Sequence, residues 1–163
     1  MKYALWFAIF VLEGTSVGLA ARTATPLLVG ARVRANCLLR APLGLDFGVY
    51  NPATQRNTPL DAAGNVLSIQ CTKGSPGVSV ALDNGESYAN SHRNLHDGDN
   101  DIVAYEIFTG ADHATVWNMT QTVAYVPTSG QPASIAMYGR ILPAQTAPHP
   151  GRYADTLLAM VNF

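Results

Sequence analysis

The stretch Tyr153-Ala154-Asp155-Thr156-Leu157-Leu158-Ala159-Met160-Val161-Asn162-Phe163 is apolar and β-favouring, and it closes the sequence. Composition alone makes it an ordinary sheet member. Near the other end, Leu27-Leu28-Val29-Gly30-Ala31-Arg32-Val33-Arg34-Ala35-Asn36-Cys37 alternates. From Val29 onward small or apolar residues take the odd positions, with Gly30, Arg32, Arg34 and Asn36 between them. Period two marks a strand with one face buried. Together the two segments suggest a sheet that depends on strands passed between subunits.

Between them lie further short β-like runs: Leu43 to Tyr50, Asn65 to Cys71, Gly77 to Leu82, Ile102 to Phe108, Thr120 to Val126 and Ala133 to Ile141. Turn-forming clusters separate them, among them Asn51-Pro52, Ala63-Gly64-Asn65, Lys73-Gly74-Ser75-Pro76-Gly77 and Asp83-Asn84-Gly85. Many short strands punctuated by Gly and Pro, with no convincing amphipathic helix, predict an all-β sandwich or barrel. The polar stretch Asp83 to Asp101 is expected to be an irregular surface excursion, and Pro143 to Gly151, with three prolines, a second loop.

A length of 163 residues permits one domain with a sizeable core. Lys2, the apolar run Tyr3 to Leu12 and the small residues of Gly18-Leu19-Ala20 predict a secretory signal over 1–20, cleaved after Ala20. Glu13 is awkward in such a segment, and a membrane anchor or buried helix is the alternative, although the apolar run is short for a bilayer. Without Lys2 and Glu13, the ten basic and eleven acidic side chains become nine and ten. With no basic patch to neutralise phosphates, nucleic acid is not expected as a partner. Cys37 and Cys71 both lie in the exported part, where an oxidising compartment favours a bridge over two buried thiols. A CxxC redox pair is absent.

Chemistry is sparse. His92, His96, His113 and His149 lie in loop-like sequence; His92 and His96 fit one helical face, but no third ligand stands at a zinc spacing. Asp97-Gly98-Asp99-Asn100-Asp101 opens like a calcium loop, then fails: Ile102 stands where glycine is needed and Phe108 where glutamate is needed. A weak surface cation site or a hydrophilic turn are its two readings. No serine sits in a G-x-S-x-G elbow. Asn118-Met119-Thr120 matches the glycosylation sequon, a pattern with many chance occurrences. Trp117 and the tyrosines at 50, 88, 105, 125, 138 and 153 fit either a carbohydrate groove or cross-strand packing, and packing is favoured. We expect no enzyme and no cofactor.

The segments around Cys37, Leu45 to Tyr50, Gly64 to Cys71 and Val78 to Gly85 resemble the spore coat protein U domain family. So do Arg93-Asn94-Leu95, Ile102 to Phe108, Tyr138-Gly139-Arg140-Ile141 and Gly151 to Leu157. Members of that family include subunits of archaic chaperone–usher pili of the Csu type. The resemblance implies an incomplete immunoglobulin-like β-sandwich, completed by a donor strand from a neighbouring subunit. It implies a Gram-negative periplasm and a cell-surface pilus serving adhesion and biofilm formation. The implied partners are a periplasmic chaperone, an outer-membrane usher and neighbouring pilin subunits. It places Cys37 and Cys71 at the family's disulfide positions, and one domain fits a shaft or adaptor subunit. A secreted carbohydrate-binding module and a spore coat component are the alternatives.

On this reading, residues 21–36 are the donor segment and 37–163 the sandwich domain. Leu27, Val29, Ala31, Val33 and Ala35 are the candidate pocket-filling residues. Equally, the segment is the subunit's own first strand. Leu157, Ala159, Val161 and Phe163 share one face of the terminal strand and are the candidate acceptor groove, while Leu158 and Met160 leave open burial of both faces.

Overall fold

The computed structural model describes residues 22–62, 66–99 and 101–163; the expected signal segment lies outside the described residues. The chain divides into two units, Met1–Arg32 and Val33–Phe163. In the first, residues 22–32 are exposed and contain no strand or helix. The second carries the sheets. Its strands are β1 (Cys37–Arg40), β2 (Leu60–Asp61), β3 (Val66–Cys71), β4 (Ser79–Leu82), β5 (Arg93–His96), β6 (Ile102–Phe108), β7 (Val123–Ala124), β8 (Ala133–Ala136), β9 (Tyr138–Ile141) and β10 (Ala159–Asn162). A short helix, α1 (Pro52–Gln55), is started by Asn51, whose side chain accepts from the Ala53 amide.

Among the described residues all pairings are antiparallel. They form three sheets ordered β1-β3-β8, β10-β4-β7 and β2-β9-β6-β5. In β3 the pleat buries Leu67, Ile69 and Cys71, while the residues between them stay partly or fully exposed. Strand β6 lies between β5 and β9 and buries Val103, Tyr105 and Ile107, with Glu106 and Phe108 buried as well. Leu67, Ile69, Cys71, Val103, Tyr105 and Ile107 join Val78, Val80, Leu82, Trp117, Ile135, Met137 and Ile141 in one core. Trp117 is wholly buried, and its indole N–H donates to the Val80 carbonyl at 2.8 Å.

Four expectations need correction. The alternating run before Cys37 is not a strand: among the described residues, sheet structure starts at Cys37. Alternation becomes a strand only where the segment pairs with an edge, and residues 22–35 form no ladder. The run Leu43 to Tyr50 is irregular. Asp46 Oδ1 accepts from the Gly48 amide, and Gly48 has φ +69°, so an Asx turn breaks the extension while Leu45, Phe47 and Tyr50 still pack on the core. A Cβ on Gly139 would collide with the Leu45 side chain, which explains the glycine inside β9. The run Ala133 to Ile141 is two strands in different sheets, β8 on β3 and β9 on β6, with buried Met137 at the corner.

Lastly, Asp83 to Asp101 is no simple surface excursion. Asn90 and Ser91 both have positive φ, at 53° and 67°, and Ala89 and His92 exchange backbone hydrogen bonds across them. That is the geometry of a two-residue primed turn. Asn94 closes it by donating to the carbonyls of Ser87, Ala89 and His92, and β5 follows with Arg93 and Asn94 buried.

Candidate functional site: two open sheet edges

Within the second unit, β1 is the outer strand of one sheet and β10 the outer strand of another. The two are neighbours, yet no ladder joins them: β1 pairs with β3 and β10 with β4. Each therefore presents unpaired backbone groups on its far side, the arrangement most open to an added strand. Apolar side chains lie along these two unjoined strands. Leu39 of β1 and Leu157, Ala159 and Val161 of the terminal segment pack on the core, and Leu38 remains 45% exposed.

The structure brings Leu157, Ala159 and Val161 to one side, with the intervening Leu158 exposed and Met160 partly buried. Phe163 lies beyond the end of β10 and is 55% exposed. Of the candidate donor residues, Leu27, Val29 and Ala31 in the first unit are exposed; so are Val33 and Ala35 in the second. At Val33 the exposure reaches 85%, so the described chain leaves an apolar side chain uncovered there.

The inner side of β1 is covalently held. Cys37 and Cys71 form a disulfide and are register partners in the β1–β3 ladder. Just before them, the Asn36 amide donates to Thr72 Oγ1 and the Thr72 amide to the Asn36 carbonyl, which prolongs the same pairing.

The entry to β10 is tied by two aspartates that sequence reasoning did not single out. Asp155 Oδ1 accepts from the amides of Glu86, Ser87 and Thr156, and its Oδ2 accepts from the Tyr105 hydroxyl at 2.8 Å. Asp83 Oδ1 accepts from the amides of Gly85 and Leu158, each at 3.0 Å. Burial, and then the bond to Asp155, push the Tyr105 hydroxyl well above the ordinary tyrosine range. Gly85 has φ +78°, and a Cβ there would collide with the Asp155 carboxylate. The turn signal Asp83-Asn84-Gly85 was visible in sequence; its partner on the terminal segment meets it only in space.

Arg93, 1% exposed, is the centre of a second polar cluster. Its Nη1 donates to Glu106 Oε2 at 2.9 Å, Nε and Nη2 donate to the Asp83 carbonyl, and Nη2 also donates to the Trp117 carbonyl. His92 Nδ1 lies 3.2 Å from Glu106 Oε1. A cavity of about 420 Å³ opens beside these groups, with Tyr88 and Asn84 on its wall. Arg93 and Glu106 answer one another and the backbone, which is how buried charges are kept in place.

The remaining candidates separate. His92 precedes β5 and His96 lies within it, so they share no helical face. His113 is not a solvated loop histidine: it stands edge-on to Phe108 and Tyr138. Asp97, Asp101 and His149 bring donor atoms within 4.8 Å of one another, with His149 Nδ1 2.7 Å from Asp101 Oδ2. Trp117 and Tyr105 are core residues and line no groove.

The family profile of the Spore Coat Protein U domain matches residues 23–160, and the chain belongs to that family. Among solved structures, it is similar to a chain in the crystal structure of the CsuC–CsuE chaperone–tip adhesion subunit pre-assembly complex from archaic chaperone-usher Csu pili of Acinetobacter baumannii. The TM-score is 0.56 at 22% identity, over 80% of this chain and 40% of that one. This chain thus spans less than half of that relative, and the likeness is one of all-β fold. No curated protein matches.

Proposed function

We propose that the chain is a structural subunit of an archaic chaperone–usher pilus, a shaft or adaptor piece polymerised by donor-strand exchange. The observation that carries this reading is the pair of neighbouring, unjoined outer strands β1 and β10 over one core. An incoming strand with alternate apolar residues can bond to such an edge through its main chain and set its register through its side chains. Residues 21–36 supply that strand to the next subunit, with Leu27, Val29, Ala31, Val33 and Ala35 toward the groove, and 37–163 form the acceptor domain. Leu157, Ala159 and Val161 contribute to the groove wall, and Phe163 to its rim.

The partners on this reading are a periplasmic chaperone that covers the groove first, an outer-membrane usher, and further subunits. The route leads across the periplasm to the cell surface, for adhesion and biofilm formation. The function is mechanical and not enzymatic. A carbohydrate-binding module is disfavoured because Trp117 and Tyr105, two of the aromatics it could have used, are spent on the core.

Val33→Asp (V33D), expressed with the cognate chaperone and usher, tests this. A carboxylate entering the groove without a partner is costly, whereas at an exposed position of the free subunit it is not. Normal periplasmic subunit with lost surface fibres is expected. Fibres of normal length would remove Val33 from the contact. Loss of the subunit itself would place Val33 in the intramolecular fold. Arg34→Ser, in the opposite phase, is the control expected to assemble.

A further inference from the structure

A four-residue edge strand bonded on one side is weakly held, and β10 is such a strand. What precedes it compensates. The Asp83 amide donates to the Leu158 carbonyl, and Asp83 Oδ1 accepts from the Leu158 amide, so one residue grips both backbone groups of the residue before β10. The Glu86 amide donates to the Thr156 carbonyl as well as to Asp155 Oδ1. Asp155 adds three bonds besides, from Ser87, Thr156 and Tyr105. Asp83 is itself fixed, because its carbonyl accepts from two nitrogens of buried Arg93.

We propose that Asp83 and Asp155 are positioning residues for strand capture. They hold β10 in register on β4 while its outer edge is unfilled, so that an arriving strand meets a preformed edge. The pairing Ala159 with Leu82 continues directly from the Asp83–Leu158 exchange, so slippage of β10 would break both. Neither aspartate touches the incoming strand; both act through β10. The inference rests on the reading that this edge receives a neighbour's segment.

The test uses the exported full chain and a synthetic peptide with the sequence of residues 27–36. Asp155→Ala is expected to raise amide exchange at Leu158 and across β10, with β5, β6 and β9 unchanged. It is expected to weaken peptide binding by about tenfold, the change that loss of about one net hydrogen bond produces. Tyr105→Phe (Y105F) removes only the Oδ2 donor. It is expected to act in the same direction by less, and stands in if the alanine variant fails to accumulate. Ile135→Val supplies a core lesion in β8, on a different sheet from β10, expected to lower global stability while changing peptide affinity less than Asp155→Ala does. Wild-type exchange at Leu158 and β10 in Y105F and Asp155→Ala would overturn the proposal. So would an equal loss of affinity in Ile135→Val at matched stability. If the wild type takes no peptide while exchange responds as expected, the donor-strand reading fails and the latch as the holder of β10 is supported.

Discussion

Cys37 and Cys71 face each other across β1 and β3 with their Cα atoms 4.1 Å apart, and their disulfide fastens the inner side of the strand whose outer side is free. The bond thus secures one of the two unjoined outer strands. A strand paired on one side only has few other means of holding its place.

Replacing both cysteines with serine is expected to lower stability by about 3–4 kcal/mol, the loop-closure value for a cross-link of this span. Urea denaturation of the exported protein measures it. Peptide mapping without reductant is expected to recover the two cysteines joined; recovery as free thiols from exported material would contradict the pairing.

Arg93→Ala is expected to cost about 3–5 kcal/mol, because it leaves Glu106 charged and buried without its main partner. The Asp83 and Trp117 carbonyls lose their donors at the same time. Denaturant titration measures the loss. A double variant, Arg93→Met with Glu106→Leu, is expected to recover part of it, since two apolar residues leave no orphaned charge.

Tyr105 gives an alkaline signature. Its pKa in the folded chain is raised above the ordinary 10.0, first by burial and then by Asp155. Stability from this group is therefore full below about pH 10 and is lost as pH rises toward the folded value. Thermal denaturation between about pH 8 and 11 is expected to show a steeper decline in wild type than in Y105F. Tyr50 and Tyr153, also raised, are common to both proteins and drop out of the difference. Parallel curves would contradict the assignment.

Much of the fold was legible because its strands are short and bounded by turns. β3 and β6 show apolar residues at alternate positions, and both fall inside the runs read from sequence. Where the reading failed, the cause was spatial. Ala133 to Ile141 reads as one run because nothing in its composition marks Met137 as the point of transfer between sheets. Arg93 and Asn94 look solvated in sequence and are buried, since the carbonyls that satisfy them come from Asp83, Ser87, Ala89, His92 and Trp117. Asp155 was quoted as part of a family block, yet its role depends on amides nearly 70 residues away. The run before Cys37 alternates clearly, and on the proposed reading its partner belongs to another copy.

A photo-activatable cross-linking residue in place of Val33, introduced into isotope-mixed subunits assembled with chaperone and usher, tests strand donation most directly. The account predicts cross-links from position 33 to Cys37–Arg40 or Ala159–Asn162 of a different copy, carrying mixed isotope labels. Adducts confined to the same chain, or falling on β5 and β6 of the neighbour, would contradict it.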